Sequence, residues 1–422
     1  MKHHGSPDKA MNARAGFLVP VSATPDAMRL LASRALRGFA DGTVSVLLPS
    51  YLTAIGFTSS EIGAIIFGTL FGSATFTLGV GLTAHRIGRR RLLLGASILM
   101  LATGVGFATL TTFWPLFVVA VIGTVNPSVG DVSLFLPIEQ AALAESIAPR
   151  ELTAMFSRYN VAGAFAGALG ALASGVPAAI AARHGWSTLA AQRGGFFMYS
   201  AIGLMTGLIY WKLTHAIETK ASPDVVTPLT RSRATVFKLA ALFSLDSMGG
   251  GFVIQSLLAL WLFRRFNLSI QATGLLFFCM NLLGALSQFG SSWLAARIGR
   301  VNTMAYTHLP SNAFLILAAL MPGVGSTIAC LLARASISSM DVPARQSYVM
   351  AVVPPEERAA AASVTNVPRS LATALAPLPA GAMLDATTFG WPLVCAGVLK
   401  IIYDLLLLAQ FRSVRPADEQ IA

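Results

Sequence analysis

The chain has 422 residues, of which 55% are hydrophobic and only 11% charged, and its formal net charge is +12. A soluble domain carries about 25% charged residues, so this composition excludes a water-soluble protein and indicates a surface that faces lipid. The basic excess does not indicate nucleic-acid binding, because membrane proteins accumulate Lys and Arg in their cytoplasmic loops.

Apolar segments follow an N-terminal tail of residues 1–28, and a helix that spans the bilayer takes about 20 such residues. The segments, numbered 1 to 12, cover residues 29–54, 61–84, 92–111, 115–147, 151–178, 194–213, 236–263, 271–295, 303–321, 324–353, 357–384 and 389–411. Segments 4, 10 and 11 are longer than a bilayer requires. We expect them to kink at proline, for which the available sites are Pro127, Pro137, Pro343, Pro368 and Pro377.

The distribution of basic residues predicts the orientation of the chain. Most Lys and Arg residues between the segments lie on the same side as both tails, whereas the opposite side holds Arg183, Arg193, Arg264 and Arg265. Both termini are therefore expected to be cytoplasmic. A polar stretch at 215–234 is predicted to be a cytoplasmic linker between two domains, residues 29–214 and 235–412, with a C-terminal tail at 413–422.

An internal repeat relates these two halves. Residues 84–89 read Ala-His-Arg-Ile-Gly-Arg, and residues 295–300, half a chain later, read Ala-Ala-Arg-Ile-Gly-Arg. Further along each half, one constant offset aligns Pro137 with Pro343 and Glu151 with Glu357. The sequence therefore predicts an all-α membrane protein of twelve transmembrane helices in two pseudo-symmetric bundles of six, an arrangement typical of transporters.

The loop between segments 2 and 3 carries the pattern Gly81-x-x-x-His85-Arg86-x-Gly88-Arg89-Arg90. On this motif, and on a weaker copy at 292–300, the sequence resembles the major facilitator superfamily of secondary transporters, with efflux-type members looking closest. The resemblance implies a central cavity lined by segments 1, 4, 7 and 10. His85 stands where the family has an aspartate, and the Arg-x-x-Gln-Gly element of drug antiporters is missing from segment 4.

In the resembled family, the arginine loop latches the two halves together in the outward-facing state. The residues implied in this latch are Gly81, His85, Arg86, Gly88, Arg89, Arg90, Arg297, Gly299 and Arg300. The alternative is that the arginines only reflect the cytoplasmic bias of positive charge and form no latch.

Ionisable residues inside the apolar segments are candidates for function, because each costs about 2.5–3.5 kcal/mol at mid-bilayer and must face a partner or a wet cavity. The candidates for a substrate or proton cavity are Arg37, Asp41, Asp131, Glu139, Asp246, Gln255, Asp341 and Arg345. The residues expected to flank this cavity are Arg158, Asn160, Asn366 and Arg369.

Five of these candidates carry specific expectations. Arg37 and Asp41 are four residues apart, so they form either a self-neutralising pair or a proton or substrate site. The counterpart of Glu139 in the second repeat is Arg345, and we expect the two to face each other across the cavity. The glycines at 249–251 follow Asp246 and predict local unwinding, either as a gate or beside a ligand.

Other polar residues in the segments are expected to be structural. Lys400 and Asp404 are four residues apart in segment 12, which is peripheral in the resembled family, so a pair within that helix is favoured. Interhelical hydrogen bonds are expected from the remaining polar side chains of segments 8 and 9, namely Asn281, Gln288, His308 and Asn312.

These features predict secondary active transport by alternating access. No Gly-x-x-x-x-Gly-Lys-Ser/Thr loop supports ATP drive, and neither a cofactor, a metal nor an enzymatic activity is expected. We expect a monomer in the bacterial inner membrane that exports a small amphiphilic or toxic compound in exchange for protons carried by Asp41, Glu139 or Asp246. The alternatives are proton-coupled uptake of a small organic ion, bound by Arg345, Arg37 or Arg369, and a non-transporting membrane sensor.

Overall fold

The computed structural model describes residues 23–128, 133–147, 151–218 and 229–412, except for the side chains of residues 80–86, 152–154, 292, 355 and 359. The first half contains helices α1 (Pro25–Ala54), α2 (Ser59–Ile87), α3 (Arg89–Thr109), α4 (Phe113–Ile122), α5 (Phe135–Glu145), α6 (Leu152–Ala173), α7 (Val176–His184) and α8 (Thr188–Trp211). The second half contains α9 (Arg233–Phe252), α10 (Gln255–Phe266), α11 (Ile270–Ile298), α12 (Arg300–Leu320), α13 (Val324–Ser338), α14 (Asp341–Val352), α15 (Arg358–Leu375), α16 (Pro377–Ala386) and α17 (Trp391–Phe411).

Length and apolar composition allow several of these helices to cross a membrane. Among the described residues, six stretches meet both criteria, namely Ser59–Gly79, Arg89–Thr109, Met155–His184, Arg233–Phe266, Ile270–Ile298 and Trp391–Phe411. The helix α1 carries buried arginines and aspartates, so its apolar character is diluted by charges that face the protein interior. The all-α fold class predicted from the sequence is confirmed.

The segments that exceed a bilayer's thickness are each divided into two helices. Segment 4 forms α4 and α5, segment 10 forms α13 and α14, and segment 11 forms α15 and α16. Proline accounts for part of this division, because it lacks the N–H donor and is tolerated in the first turn of a helix. Pro137 and Pro343 are the third residues of α5 and α14, and Pro377 begins α16. Pro368 lies inside α15 and does not end it.

Segment 7 is also divided, as the three glycines predict. The helix α9 ends at Phe252, directly after Gly251, and α10 begins at Gln255. Ser256, at the start of α10, donates a hydrogen bond from its hydroxyl to the carbonyl of Ser45 at 2.7 Å. The break therefore lies where the second half contacts the middle of α1.

The same helix pairs recur in the two halves. The helix α1 packs on α6 and α3 packs on α8, while their counterparts α9 and α12 pack on α15 and α17. Glycine makes the first contact possible, because a Cβ on Gly42 would lie 1.9 Å from the carbonyl oxygen of Gly167. Glycines of segment 5 thus allow close packing, and the repeat read from the sequence corresponds to two similar bundles.

The two bundles meet closely at the end remote from the arginine loop. Here α2 packs on α16 and α6 packs on α11. The carboxylate of Asp385 accepts hydrogen bonds from the backbone N–H groups of Ser59 and Ser60, both at 2.8 Å. A Cβ on Gly63 would lie 2.4 Å from the carbonyl oxygen of Pro377. Polar caps and backbone-to-backbone packing therefore close this end of the molecule.

Candidate functional site

Glu139 is the centre of a buried charge cluster in the first bundle. It lies on α5 with no exposed surface, and its carboxylate forms an ion pair with the guanidinium of Arg37 on α1. The hydroxyls of Tyr210 and Ser33 donate hydrogen bonds to it at 2.5 and 2.6 Å, and Tyr159 donates another. With one cation and three hydroxyl donors, this carboxylate has its hydrogen-bonding capacity filled inside the bundle.

This cluster contradicts one expectation from the sequence and excludes one of the two alternatives given for Arg37 and Asp41. Glu139 does not face Arg345 across the cavity, because Arg37 of its own bundle supplies the countercharge. Arg37 does not form an ion pair with Asp41, although both lie on α1. Its guanidinium turns toward Glu139 and stacks 4.3 Å from the ring centroid of Phe135. Helical spacing places two residues on one face, whereas the choice of partner depends on a neighbouring helix.

Asp41 is the acid that these contacts leave unpaired. Its relative exposure is 6%, and no hydrogen bond or ion pair reaches its carboxylate from any part of the chain that the structure describes. Arg37 and Arg34 act on it through space from its own helix, and Tyr199 is its electrostatic neighbour from α8. Asp131, the other acid predicted in this bundle, lies outside the described residues.

A second charge cluster surrounds Asp246 on α9. Lys400 of α17 contacts one carboxylate oxygen at 2.6 Å, and Arg345 of α14 contacts the other at 3.1 Å. Arg345 also lies 3.4 Å from Asp341, four residues earlier on its own helix. The predicted residues Asp246, Asp341 and Arg345 are thus brought together, although within one bundle rather than between the two.

His308 extends this cluster toward Asp404. Its Nε2 lies 3.8 Å from Asp246 and its Nδ1 lies 3.0 Å from Asp404, which also accepts a hydrogen bond from Asn312 at 3.0 Å. The interhelical hydrogen bonds expected of His308 and Asn312 are therefore present. The pair expected between Lys400 and Asp404 within one helix is wrong, because Lys400 turns to Asp246 and Asp404 turns to α12.

Gln255 lines a cavity of about 190 Å³ at the break between α9 and α10. Ser128 of the first bundle borders it, together with Val253, Leu258, Phe277, Met280, Asn281 and Arg334 of the second. The nitrogens Gln255 Nε2, Asn281 Nδ2 and Arg334 Nε are buried and lack a hydrogen-bond partner among the described residues. The interhelical hydrogen bonds expected of Asn281 and Gln288 are likewise not formed within that part of the chain.

The residues predicted to flank the cavity take different positions. Arg369 on α15 donates from Nε to the hydroxyl of Ser247 at 3.0 Å and from Nη1 to the side chain of Asn366 at 3.2 Å. Next to Arg158 in the chain, Tyr159 is the residue of α6 that donates a hydrogen bond to Glu139. Asn160 is exposed on α6. Arg369 thereby ties α15 to α9, next to the Asp246 cluster.

The arginine loop contains the tight turn that its glycine predicts. Gly88 separates α2 from α3 with φ of 87°, and Gly299 separates α11 from α12 with φ of 82°, a region of backbone space that other residues rarely adopt. The carboxylate of Glu218 accepts the backbone N–H groups of Arg89 and Arg90 at 2.7 and 3.1 Å. Gly81 lies within α2, and the side chains of His85 and Arg86 lie outside the description.

The described arginine side chains of this motif bind nearby groups. Arg89 donates to the carbonyl of Ile217, just after the last helix of the first bundle, at 2.9 Å and lies 3.6 Å from Glu145 of that bundle. Arg297 stacks 4.1 Å from the ring centroid of Trp293. Arg300 begins α12. These contacts anchor the loop to its own bundle, and a latch between the bundles stays a prediction.

Comparison with known proteins places these features in a family. The family model of the Major Facilitator Superfamily matches residues 30–377 and 239–421. An uncharacterised membrane protein of Saccharomyces cerevisiae is 26% identical over 426 residues, which cover 93% of this chain and 95% of the relative.

Solved structures of transporters share the fold. A bacterial homologue of the human lysosomal transporter Spinster, inward-facing and unoccupied, superposes with a TM-score of 0.73 at 16% identity, covering 94% of this chain and 99% of its own. The nucleoside transporter NupG gives 0.71 at 14%, covering 92% and 100%. The inward-open xylose transporter XylE of E. coli gives 0.69 at 14%, covering 90% and 95%.

Proposed function

Because this chain belongs to the Major Facilitator Superfamily, we propose that it is a proton-coupled secondary transporter that moves a small molecule by alternating access. Membership of this family makes the protein a membrane transporter and not an enzyme.

The observation that carries proton coupling is the isolation of Asp41. A carboxylate that is 6% exposed and has no direct partner among the described residues is poorly stabilised in its charged form. It can take up a proton without breaking an ion pair. When water reaches it, it can release the proton to that water, because the positive charges of Arg37 and Arg34 then stabilise the carboxylate. We assign it the role of proton carrier.

The other two acids proposed as carriers suit this role less well. Protonating Glu139 would leave Arg37 buried without a countercharge, and protonating Asp246 would do the same to Lys400 and Arg345. Losing one partner of a buried pair costs about 3–5 kcal/mol, so these acids favour the ionised state throughout a transport cycle. We interpret their clusters as the rigid cores of the two bundles.

The packing between the bundles supports alternating access. The end remote from the arginine loop is closed by the Asp385 caps and by glycine contacts such as that of Gly63. With both termini placed in the cytoplasm, as the basic residues predict, this conformation would be inward-facing. Opening the closed end would separate these packed helices and release the caps on α2 and the salt link from Arg264 to Asp385, at 3.5 Å.

The direction of transport is proposed from the sequence alone. Export of a small amphiphilic or toxic compound remains the first candidate. Uptake of a small organic ion is the second, and it is favoured by the polar groups beside Gln255, which lack partners in the part of the chain that the structure describes. Location in a bacterial inner membrane and a monomeric state are likewise predictions from the sequence. The third candidate, a membrane sensor, would share this fold without moving a substrate.

The test is flux in proteoliposomes that contain the purified chain and an imposed pH gradient. Radiolabelled nucleosides, sugars, organic acids and amphiphilic cations form the panel, and a protonophore serves as control. We expect one class to accumulate or to be expelled only while the gradient persists, and the sign of the effect gives the direction. Flux that ignores the gradient would contradict proton coupling, and no flux for any class would favour the sensor.

A further inference from the structure

We propose that the cavity beside Arg334 binds the carboxylate of a small organic acid, and that this acid is the transported substrate. The inference rests on the transport function proposed above, and it adds the chemical class of the substrate. The Arg334 cavity is the space of about 190 Å³ between the break at 253–255, α11 and α13.

Arg334 is a buried cation without a direct countercharge. No hydrogen bond or ion pair reaches it from the described residues, and Asp246 and Asp341 act on it only through space. Both of those acids are already in contact with Arg345. A guanidinium stays charged in proteins and presents a planar fork of donors, and a carboxylate fills that fork with two parallel hydrogen bonds.

Two side-chain amides converge on the same space. Gln255 begins α10 and Asn281 lies on α11, and the buried nitrogen of each lacks a partner in the described part of the chain. Polar groups of three different helices thus line one cavity, and their donor nitrogens lack acceptors among the described residues. A ligand with hydrogen-bond acceptors would supply them. None of the described residues that line the cavity is acidic, so an anion fits it better than a cation.

The rest of the lining limits the size of the ligand and the shape of its carbon skeleton. Val253, Leu258, Phe277 and Met280 supply apolar surface beside the polar groups. Pockets for drug-sized ligands span about 300–1,000 Å³, so this smaller space suits a short-chain acid. Ser128 belongs to the first bundle, and a ligand that contacts it and Arg334 together would bridge the two bundles. Binding would then depend on how the bundles are arranged.

The test is ligand-induced thermal stabilisation of the purified full chain. The probes are glycolate, lactate and succinate, each paired with its neutral amide. We expect the acids to raise the unfolding temperature and the amides to leave it unchanged. Arg334→Gln should weaken the apparent affinity at least about tenfold, because a charge-assisted bidentate contact is lost. Arg183→Gln, which removes an exposed arginine elsewhere, should bind the acids as the parent does.

A second variant covers the case in which Arg334→Gln does not fold. Asn281→Leu removes one of the amide donors and should also weaken acid binding while leaving the charge in place. Equal stabilisation by acids and amides, no stabilisation by any acid, or full binding by both variants would each overturn the proposal.

The outcomes separate this inference from the proposed function. Acid binding that depends on Arg334, without flux under a pH gradient, would support the binding site, and it would overturn both proton-coupled transport and the assignment of the acid as the transported substrate. Gradient-driven flux of another class of compound, without acid binding, would support proton-coupled transport and overturn the site.

Discussion

Individual acids in this protein have opposite surroundings that their residue type does not reveal. Glu139 is held by Arg37, two tyrosines and a serine, whereas Asp41, one turn further along α1 than Arg37, has no direct partner among the described residues. A buried carboxylate with filled hydrogen-bonding capacity stabilises the charged form, and one without partners does not. The first is suited to structure and the second to proton exchange.

The variant Glu139→Gln tests the structural half of this contrast. It leaves the Arg37 guanidinium buried without a countercharge, and we expect the free energy of unfolding to fall by about 3–5 kcal/mol. Denaturant unfolding in detergent measures the loss. The double variant Arg37→Met, Glu139→Gln keeps an acceptor for the hydroxyls and buries no charge, so it should recover part of the stability. Unchanged unfolding of the single variant would show that the pair contributes little.

Glu357 gives a pH-dependent prediction outside the membrane. Its carboxylate accepts the Ser232 hydroxyl, the backbone N–H groups of residues 230–232 and the Thr230 hydroxyl. These donors hold the pKa of Glu357 well below its ordinary value of 4.5. A lowered pKa in the folded state means that the contribution to stability is complete above the ordinary value. It is lost as the pH falls below that value toward the folded-state pKa.

We therefore expect Glu357→Gln to lower the unfolding temperature at neutral pH, and the difference from the parent to shrink as the pH falls below 4.5. Thermal unfolding at a series of pH values measures this difference. Glu356→Gln, which changes the exposed neighbour, is the matched control and should behave as the parent throughout. A difference that does not depend on pH would contradict the assigned hydrogen bonds.

At the level of helices, glycine decides how closely elements approach. The helix α1 meets α6 through Gly38, Gly42, Gly163 and Gly167, and their backbones are in contact. Glycine weakens a helix intrinsically, so this contact, and not helix propensity, explains its presence in the middle of α1.

The variants Gly42→Ala and Gly95→Ala test this explanation as a matched pair. A Cβ on Gly42 would meet the Gly167 carbonyl at 1.9 Å, and we expect the crowding to cost about 1–3 kcal/mol of stability. Gly95 on α3 has no atom within 4 Å of its would-be Cβ, so alanine there should be neutral or add about 0.5–1 kcal/mol. Unfolding in detergent compares them, and equal effects would argue against the close packing.

The sequence predicts the elements better than it predicts their partners. Apolar length and the repeat locate the helices, and proline and glycine locate the breaks near residues 137, 251, 343 and 377. Contacts between helices that are far apart in the sequence are not predicted, because helical periodicity does not indicate which neighbouring helix a polar face contacts. For this reason the pairs proposed for Arg345 and Lys400 are wrong, since both side chains turn to Asp246.

Viewed as a whole molecule, each bundle contains a buried charge cluster, and the space between the bundles is lined by less satisfied groups. The clusters at Glu139 and Asp246 each join three or more helices of one bundle. Gln255, Asn281 and Arg334 lie instead beside the break in segment 7, where the two bundles are in contact. Such a division would let each bundle move as a rigid unit while the contacts between the two bundles change.

The polar groups that line the Arg334 cavity are the part of the site that the sequence predicts least. Asn281 and Arg334 are ordinary polar residues of segments 8 and 10, and only the cavity shows that they converge on Gln255 without partners among the described residues. A sequence signal for them is weak, because an arginine within a membrane helix is as consistent with a structural ion pair as with a ligand site.

The most direct test of the account compares Asp41→Asn with the parent in proteoliposomes, using a substrate identified by the flux panel. The amide cannot exchange a proton, so accumulation driven by a pH gradient should be lost, while exchange of labelled for unlabelled substrate without a gradient should persist. Glu61→Gln, which alters an acid at the closed end of α2, should retain both activities. Gradient-driven accumulation by Asp41→Asn at the parent's level would contradict the central claim that Asp41 carries the proton.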